Sequence, residues 1–276
     1  MFPIKGSTQI YGVIGNPVKH SLSPVFQNVG ISSLGIDAVY IPLEVPKEKF
    51  EETIKGLLLL ENLKGFNITV PFKEKILKFA ARVSPDVEQI GSANTLKKTS
   101  EGKIELYNTD WIGFLNALKE VEDPENKTVL VLGAGGTAKA VIYALKKSNA
   151  KKLLLWNRTK EKALSLAQRF NITAVDKVEE VLNKVDIIVN TTSVGLKDND
   201  PKLFDYSLIQ PHHTVFDVIY KETPLLREAK KRGAKTLDGL RMLLLQGVES
   251  FKIWFGVEPP INEMWEALKK AFKERS

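Results

Sequence analysis

The chain has 276 residues, 43% of them hydrophobic, with 40 basic and 33 acidic side chains and a net charge of +7. That is enough apolar material for one large domain or two ordinary ones, and it argues against disorder. The absence of cysteine excludes disulfides, thiolate metal sites and a thiol nucleophile. The basic excess lies mostly on lysines set among glutamates in helical patterns, as in KEKFEETIK and TKEKALSLAQR. It reads as solvated helix faces, not as a nucleic-acid surface. MFPIKGSTQIYG lacks the apolar segment of a secretion signal, and the aliphatic run Leu57–Leu60 is far too short to span a bilayer. A cytoplasmic chain with neither a nucleic-acid nor a membrane partner is expected.

Strand-like and helix-like segments then alternate. IYGVIG, AVYIPLEV and GFNITV predict strands, and LSPVFQNVGISSLG and FEETIKGLLLL predict helices. After Pro71 the spacing of Phe72, Ile76, Phe79 and Ala80 predicts another helix, with proline at its first position. NTLKKTSEGKIELYN predicts a hairpin. A second series starts near NTDWIGFLNALKEV and runs through TVLVLG, LLLWN, DIIVNTT, TVFDVIY and AKTLDG as strands, with helices between them. Two tail helices follow, RMLLLQGVESFKIWFG and INEMWEALKKAFKERS; the first is apolar on several sides, which predicts burial. This grammar predicts two α/β domains with mostly parallel sheets. The expected division is 1–110 plus 240–276 for one domain, the C-terminal helices returning to it, and 111–239 for the other.

TVLVLGAGGTAKAV carries the sharpest local signal. An apolar strand runs into Gly133, Ala134, Gly135, Gly136, Thr137 and Ala138, and a helix leaves. Gly133 permits the tight turn, Gly135 lets the backbone approach a pyrophosphate, and Ala138 lets helix and strand pack closely. The helix start offers amides and a positive dipole end to the phosphates. An NAD site places an acid at the end of the next strand. Here LLLWN is followed by Arg158, Thr159, Lys160 and Lys162, and Glu161 is surrounded by cations. An arginine fork suits a 2′-phosphate, so NADP is the expected cofactor.

Lys73 falls in the first turn of the helix predicted after Pro71, where the dipole disfavours a cation. It also lies just past a strand's carboxyl end, where ligands of α/β proteins bind, and it is read as a group that exchanges a proton with substrate. Asp110 stands where an extended run meets a helix, and serves either as a helix cap or in the chemistry.

The whole chain resembles the shikimate dehydrogenase family. The motifs that carry the resemblance are SLSP (Ser21–Pro24, with Asn28 beyond), NITVPFK, GSANT (Gly91–Thr95), NTDWIG, GAGGTAKA, NRT, NTTSVG, DVIY and GLRMLLLQG, in the family's order. The resemblance implies a Rossmann-type NADP-binding domain beside a substrate domain. It also implies reversible NADP-dependent reduction of 3-dehydroshikimate to shikimate, in aromatic amino acid biosynthesis. Ser21 and Ser23 would bind the substrate carboxylate. Thr69, Lys73, Asn94 and Asp110 would surround the ring hydroxyls, with Lys73 and Asp110 catalytic, and Tyr220 and Gln246 would close the site. Gly133, Ala134, Gly135, Gly136 and Thr137 would hold the pyrophosphate, and Asn157, Arg158, Thr159 and Lys162 the adenosine phosphate end. Asn190, Thr191, Thr192 and Ser193 would line the cofactor cleft, and the backbone at Val218 and Gly239 would lie near the nicotinamide. One departure is visible: only Lys221 and Glu222 separate Tyr220 from TPLL, where the family often has a longer loop.

No metal is expected, since His20, His212 and His213 are too few and badly spaced. An NAD-preferring quinate/shikimate dehydrogenase shares most motifs, but the NRT–lysine cluster argues against it. A methylenetetrahydrofolate dehydrogenase shares the lysine and the layout but lacks this SLSP loop. A non-catalytic dinucleotide sensor would have no use for Lys73, Asp110 and the SLSP hydroxyls together. The expected partner is a small-molecule substrate, and the expected assembly is a monomer or homodimer.

Overall fold

The computed structural model describes residues 4–197 and 199–275. The chain divides into two compact units, Met1–Thr109 with Gln246–Ser276, and Asp110–Leu245.

The first unit opens with β1 (Gln9–Gly15), α1 (Ser23–Ser33), β2 (Ala38–Glu44), α2 (Phe50–Leu59) and β3 (Leu63–Ile68), then β4 (Arg82–Val83), α3 (Pro85–Ile90), β5 (Thr95–Lys98) and β6 (Ile104–Tyr107). The six strands form one sheet in the order β2-β1-β3-β5-β6-β4. β1 pairs in parallel with β2 and β3, β5 runs antiparallel to both of its neighbours, and β4 is parallel to β6. β1 and β3 are apolar along most of their length because both sheet faces are covered. The predicted hairpin is β5–β6, turned by Thr99–Lys103 with Gly102 at φ 77°.

The second unit contains α4 (Asp110–Lys119), β7 (Thr128–Leu132), α5 (Gly136–Lys147), β8 (Lys152–Trp156), α6 (Lys160–Phe170), β9 (Thr173–Ala174), β10 (Ile187–Asn190), β11 (Thr214–Asp217), α7 (Pro224–Lys231) and β12 (Lys235–Leu237). All its strands are parallel, in the order β12-β11-β10-β7-β8-β9. This is the doubly wound order, with the unit's first strand beside the point where the winding reverses. Its core is fed by Leu130, Leu132, Leu154, Ile188 and Val215, all on strands.

α8 (Leu240–Phe255) and α9 (Ile261–Lys273) end the chain. α8 is buried on several sides, as its apolar circumference predicts. Trp254 donates its indole N–H to the Leu96 carbonyl at 2.9 Å, and Gly65 leaves room for it, since a Cβ there would stand 2.5 Å from Trp254 Nε1. α9 buries Met264 and Leu268, and Gly30 lets α1 approach Met264 closely.

The helix predicted after Pro71 is not an α-helix. Residues 69–74 form turns, Lys75–Phe79 is a 3-10 helix, and Arg82–Val83 is β4. The Lys73 carbonyl accepts from Ala93 N at 2.8 Å instead of continuing a helical ladder, and strand pairing draws Ala81 and Ser84 onto Ile104 and Leu106. Tertiary pairing overrides the local spacing. Phe72 and Ile76 are still fully buried, and the Phe72 ring stacks on Phe50 with centroids 4.1 Å apart. Lys73 therefore sits in a turn braced from both sides, and the helix-dipole argument for it lapses. Phe72→Ala should lower the unfolding free energy by about 3–5 kcal/mol, through lost burial and the cavity left behind. Urea denaturation measures this, and a loss under about 1 kcal/mol would show that Phe72 does not brace the turn.

Candidate active site

In the first unit, the carboxyl ends of β1, β3 and β6 and the start of the reversed strand β5 share one edge of the sheet. Thr69 N donates to Ile14 O, Ile68 N to Asn94 O, and Asn94 N to Tyr107 O, at 2.8, 2.8 and 3.1 Å. That edge gathers the segment after β1 that carries Ser21 and Ser23, the Thr69–Lys73 turn after β3, and Asn94. Gly15 permits the crowding, since a Cβ there would come within 2.3 Å of Thr69 Cγ2. Ser21 N donates to Val18 O, and Ser23 N donates to Ser21 Oγ at 3.3 Å. Ser23 is buried at the start of α1, with Pro24 in the first turn. Thr69 and Lys73 are half-buried. Asn28 instead pins α1 to β2, exchanging two hydrogen bonds with the Tyr40 backbone.

Beneath this edge runs a buried, uncharged polar network. Asn94 Oδ1 accepts from the Thr109 backbone amide at 2.8 Å, and Asn94 Nδ2 donates to Thr109 Oγ1 at 2.9 Å and Gln246 Oε1 at 3.2 Å. Thr95 Oγ1 donates to Asn94 Oδ1 and shares a 2.8 Å bond with Ser250 Oγ. Asn67 Nδ2 reaches Asn94 O, Thr95 Oγ1 and Ser250 Oγ, and Asn67 Oδ1 accepts from the Tyr40 hydroxyl at 2.8 Å. Ser23 hydrogen-bonds the same phenol, whose ionisation burial pushes well above its ordinary range, so Tyr40 stays a neutral donor. One chain of bonds thus joins Ser23, Asn94 and Gln246. Asp110 is the next residue after Thr109, buried at the start of α4, where the dipole favours a carboxylate.

In the second unit, β7 runs into the turn at Gly133 and α5 leaves it. Gly133 has φ 111° and donates to Trp156 O at 2.8 Å; a Cβ would meet Thr191 Oγ1 at 2.6 Å. Gly135 and Gly136 differ: a Cβ on either would meet nothing within 4 Å. Gly135 caps α5 without a side chain. The first amides of α5, from Gly136 through Thr137 to Ala138, have no carbonyl one turn back within the helix. An open concavity lined by backbone donors suits a pyrophosphate. Ala134 and Thr137 are half-buried in this loop, and Ala138 is fully buried against the sheet.

Past β8, Asn157 Nδ2 donates to Thr159 O at 2.9 Å and closes the turn into α6. Lys160 is engaged by Asp176 at 2.8 Å. Arg158 and Lys162 are exposed, and among the described residues neither has an ion-pair partner. No carboxylate stands at the end of β8 to receive a ribose 2′-hydroxyl. This donor set fits NADP, whose additional phosphate needs cations.

At the end of β10, the Asn190 side chain accepts from Thr192 N and Thr192 Oγ1 and donates to Val194 O. Thr191 Oγ1 donates to Leu132 O at 2.7 Å, and Ser193 is exposed. Val218 N donates to Asn190 O, and Gly239 N donates to Ile219 O. A Cβ on Gly239 would stand 2.0 Å from Val218 O, so only glycine fits. Tyr220 is exposed. Among the described residues, no three His, Asp or Glu side chains are placed to hold a metal ion, and no helix is long and apolar enough to cross a membrane.

Sequence reasoning missed Tyr40, Asn67, Thr95 and Ser250. Their signal is a polar residue at a buried phase of an apolar segment, as Asn67 is within GFNI and Ser250 within α8.

A doubly wound sheet with a glycine turn fitted to NADP, in a chain whose other α/β unit has a polar strand-end edge, defines a nicotinamide-dependent oxidoreductase. Residues 13–96 match the shikimate dehydrogenase substrate binding domain, 116–197 the shikimate/quinate 5-dehydrogenase domain, and 239–269 the shikimate 5′-dehydrogenase C-terminal domain. The NADP(+)-dependent shikimate dehydrogenase of Aquifex aeolicus is 55% identical, over 94% of this chain and 96% of its own. The crystal structure of the Aquifex aeolicus shikimate dehydrogenase superposes with a TM-score of 0.94 at 54% identity, covering 96% of this chain and 99% of that one. The Thermus thermophilus enzyme, solved with NADP(H) and shikimate, gives 0.88 at 36% identity, covering 96% and 100%. The chain belongs to the shikimate dehydrogenase family.

The two glycines of the turn should respond in opposite ways to a methyl group. Gly133→Ala should destabilise by about 1–3 kcal/mol, because its backbone is left-handed and its Cβ collides with Thr191. Gly135→Ala should keep the wild-type melting temperature within about 2 °C and weaken NADPH binding. Equal stability losses would show that Gly135 is a packing glycine.

Proposed function

We propose that the chain catalyses the reversible NADPH-dependent reduction of 3-dehydroshikimate to shikimate, a step of aromatic amino acid biosynthesis. The observation that carries this reading is the polar strand-end edge of the first unit, where the segments carrying Ser21, Ser23, Thr69, Lys73 and Asn94 converge over a buried network of amide and hydroxyl side chains that includes Gln246.

The substrate is a ring with a carboxylate, hydroxyls and one ketone. Ser21 and Ser23, two residues apart where the chain enters α1, are suited to the carboxylate. Thr69, Asn94 and Gln246 are assigned to the ring hydroxyls, and Tyr220 is assigned to the substrate as well. NADPH, when bound, supplies the hydride. The ketone oxygen then gains negative charge and needs a proton, and Lys73 is the group assigned to give it. Asp110 is the group assigned to hydrogen-bond the same hydroxyl. In the oxidation direction the proton returns to Lys73. The buried network of amides and hydroxyls acts by fixing positions. Gly133–Thr137 hold the pyrophosphate, Asn157, Arg158, Thr159 and Lys162 the adenosine phosphate end, and Asn190–Ser193, Val218 and Gly239 the nicotinamide end. A cytoplasmic monomer or homodimer goes with this reading, since a cysteine-free chain suits a reducing compartment.

Two measurements test the assignment of roles. Arg158→Ala should weaken NADPH binding by about 1.5–3 kcal/mol, the worth of a charge-assisted bond, and leave NADH binding nearly unchanged. Equal effects in fluorescence titrations would remove Arg158 from the 2′-phosphate. Lys73→Ala should cut turnover by roughly 10²–10⁴-fold and change shikimate affinity much less. Asp110→Asn should also slow turnover, and the double variant should fall well short of the product of the single effects. A Lys73→Ala enzyme that keeps most of its turnover would overturn the proton-transfer role.

A further inference from the structure

Among the described residues, the one buried carboxylate of the second unit that the mechanism does not use is Asp217, at the end of β11. It is fully buried and takes four hydrogen bonds from three neutral donors. Asn190 Nδ2 donates to Oδ1 at 3.1 Å and to Oδ2 at 3.0 Å, Ile219 N donates to Oδ1 at 3.1 Å, and Thr223 Oγ1 donates to Oδ2 at 2.8 Å. Burial pushes its carboxyl up to about 6 against the pull of these donors, and Asp238, the other acid acting on it, adds repulsion. A charge that costs this much to bury, and meets no cation, calls for an explanation beyond packing.

The donors supply one. Asn190 begins the turn that runs through Gly195, and Ile219 and Thr223 bracket the short loop after β11. Three further contacts run between these two turns. Val218 N donates to Asn190 O at 3.0 Å, and Lys221 Nζ donates to Leu196 O at 2.8 Å. Gly195, at φ 106°, faces Thr223 so closely that a Cβ would stand 3.1 Å from it. Thr223 also caps α7, accepting from Leu226 N while it donates to Asp217. The shortened loop, with only Lys221 and Glu222 before Thr223, is thus bridged at both ends by one carboxylate.

We propose that Asp217 is a positioning residue for the nicotinamide end of the cofactor site: acting through Asn190, Ile219 and Thr223, it locks the 190–195 and 218–223 turns into a single arrangement. This rests on the proposed function for the identity of the ligand, and on the hydrogen bonds alone for the locking. A carboxylate suits this place because both of its oxygens accept, and each takes one donor from Asn190 and one from the loop after β11. A carboxamide would turn one oxygen into a donor facing donors.

The test uses the full-length protein without ligand, and then with NADPH. In Asp217→Asn, amide hydrogen exchange should accelerate about tenfold or more in both turns together, the loss expected when a charged acceptor goes, with β7 and β8 unchanged. NADPH affinity and KM for NADP should worsen by a similar factor, and KM for shikimate by less than about twofold. Thr223→Ala should reproduce a weaker form of the same coupled loosening and Thr223→Ser should reverse it, which keeps the proposal testable if Asp217→Asn does not fold. Exchange that rises in only one turn or in neither, or NADPH affinity equal to wild type with both turns loosened, would overturn the positioning role. Wild-type protein that fails to turn over shikimate with NADP would overturn the functional reading instead, and the exchange result would stand apart from it.

Discussion

The first unit is organised around one carboxamide. The chain leaves this unit after Thr109 and re-enters it at Gln246, and the Asn94 side chain bonds both residues. Its oxygen takes the Thr109 backbone amide, and its nitrogen reaches the Thr109 hydroxyl and Gln246. A buried amide with fewer partners would cost roughly 1–3 kcal/mol per orphaned group, so the arrangement is close to all or none.

The two units use opposite devices at their strand ends. In the first, neutral side chains from β2, β3, β5 and α8 satisfy one another. In the second, positive character comes from the start of α5 and from Arg158 and Lys162, and a buried carboxylate braces the far end of the sheet. Glycines mark the points of closest approach. At Gly133 and Gly239 the neighbours are protein, at 2.6 and 2.0 Å, while at Gly135 and Gly136 there is open space. Gly133 and Gly239 are therefore fixed by packing, and Gly135 and Gly136 are not.

Much of this was legible in the sequence, and the reasons are local. The Gly133–Ala138 turn could be read because its strand, its glycines and its helix are adjacent in the chain. Arg158 and Lys162 could be read from a missing acid. Lys73 was identified as a candidate, but its setting was misjudged: the spacing of Phe72, Ile76 and Phe79 predicts a helix, and the bond from Ala93 to the Lys73 carbonyl prevents one. The Tyr40–Asn67–Ser250 network could not be read at all, because its members lie 27 and 183 residues apart. The role of Asp217 within DVIY is not legible from the sequence, since it depends on Asn190 and Thr223 arriving from other elements.

The account's central claim is the pairing of substrate with cofactor, and initial rates with shikimate and with quinate, each with NADP and with NAD, test it most directly. The predicted result is a kcat/KM for shikimate with NADP that exceeds the other three combinations. A preference for quinate or for NAD, or no turnover of shikimate with either cofactor, would contradict it.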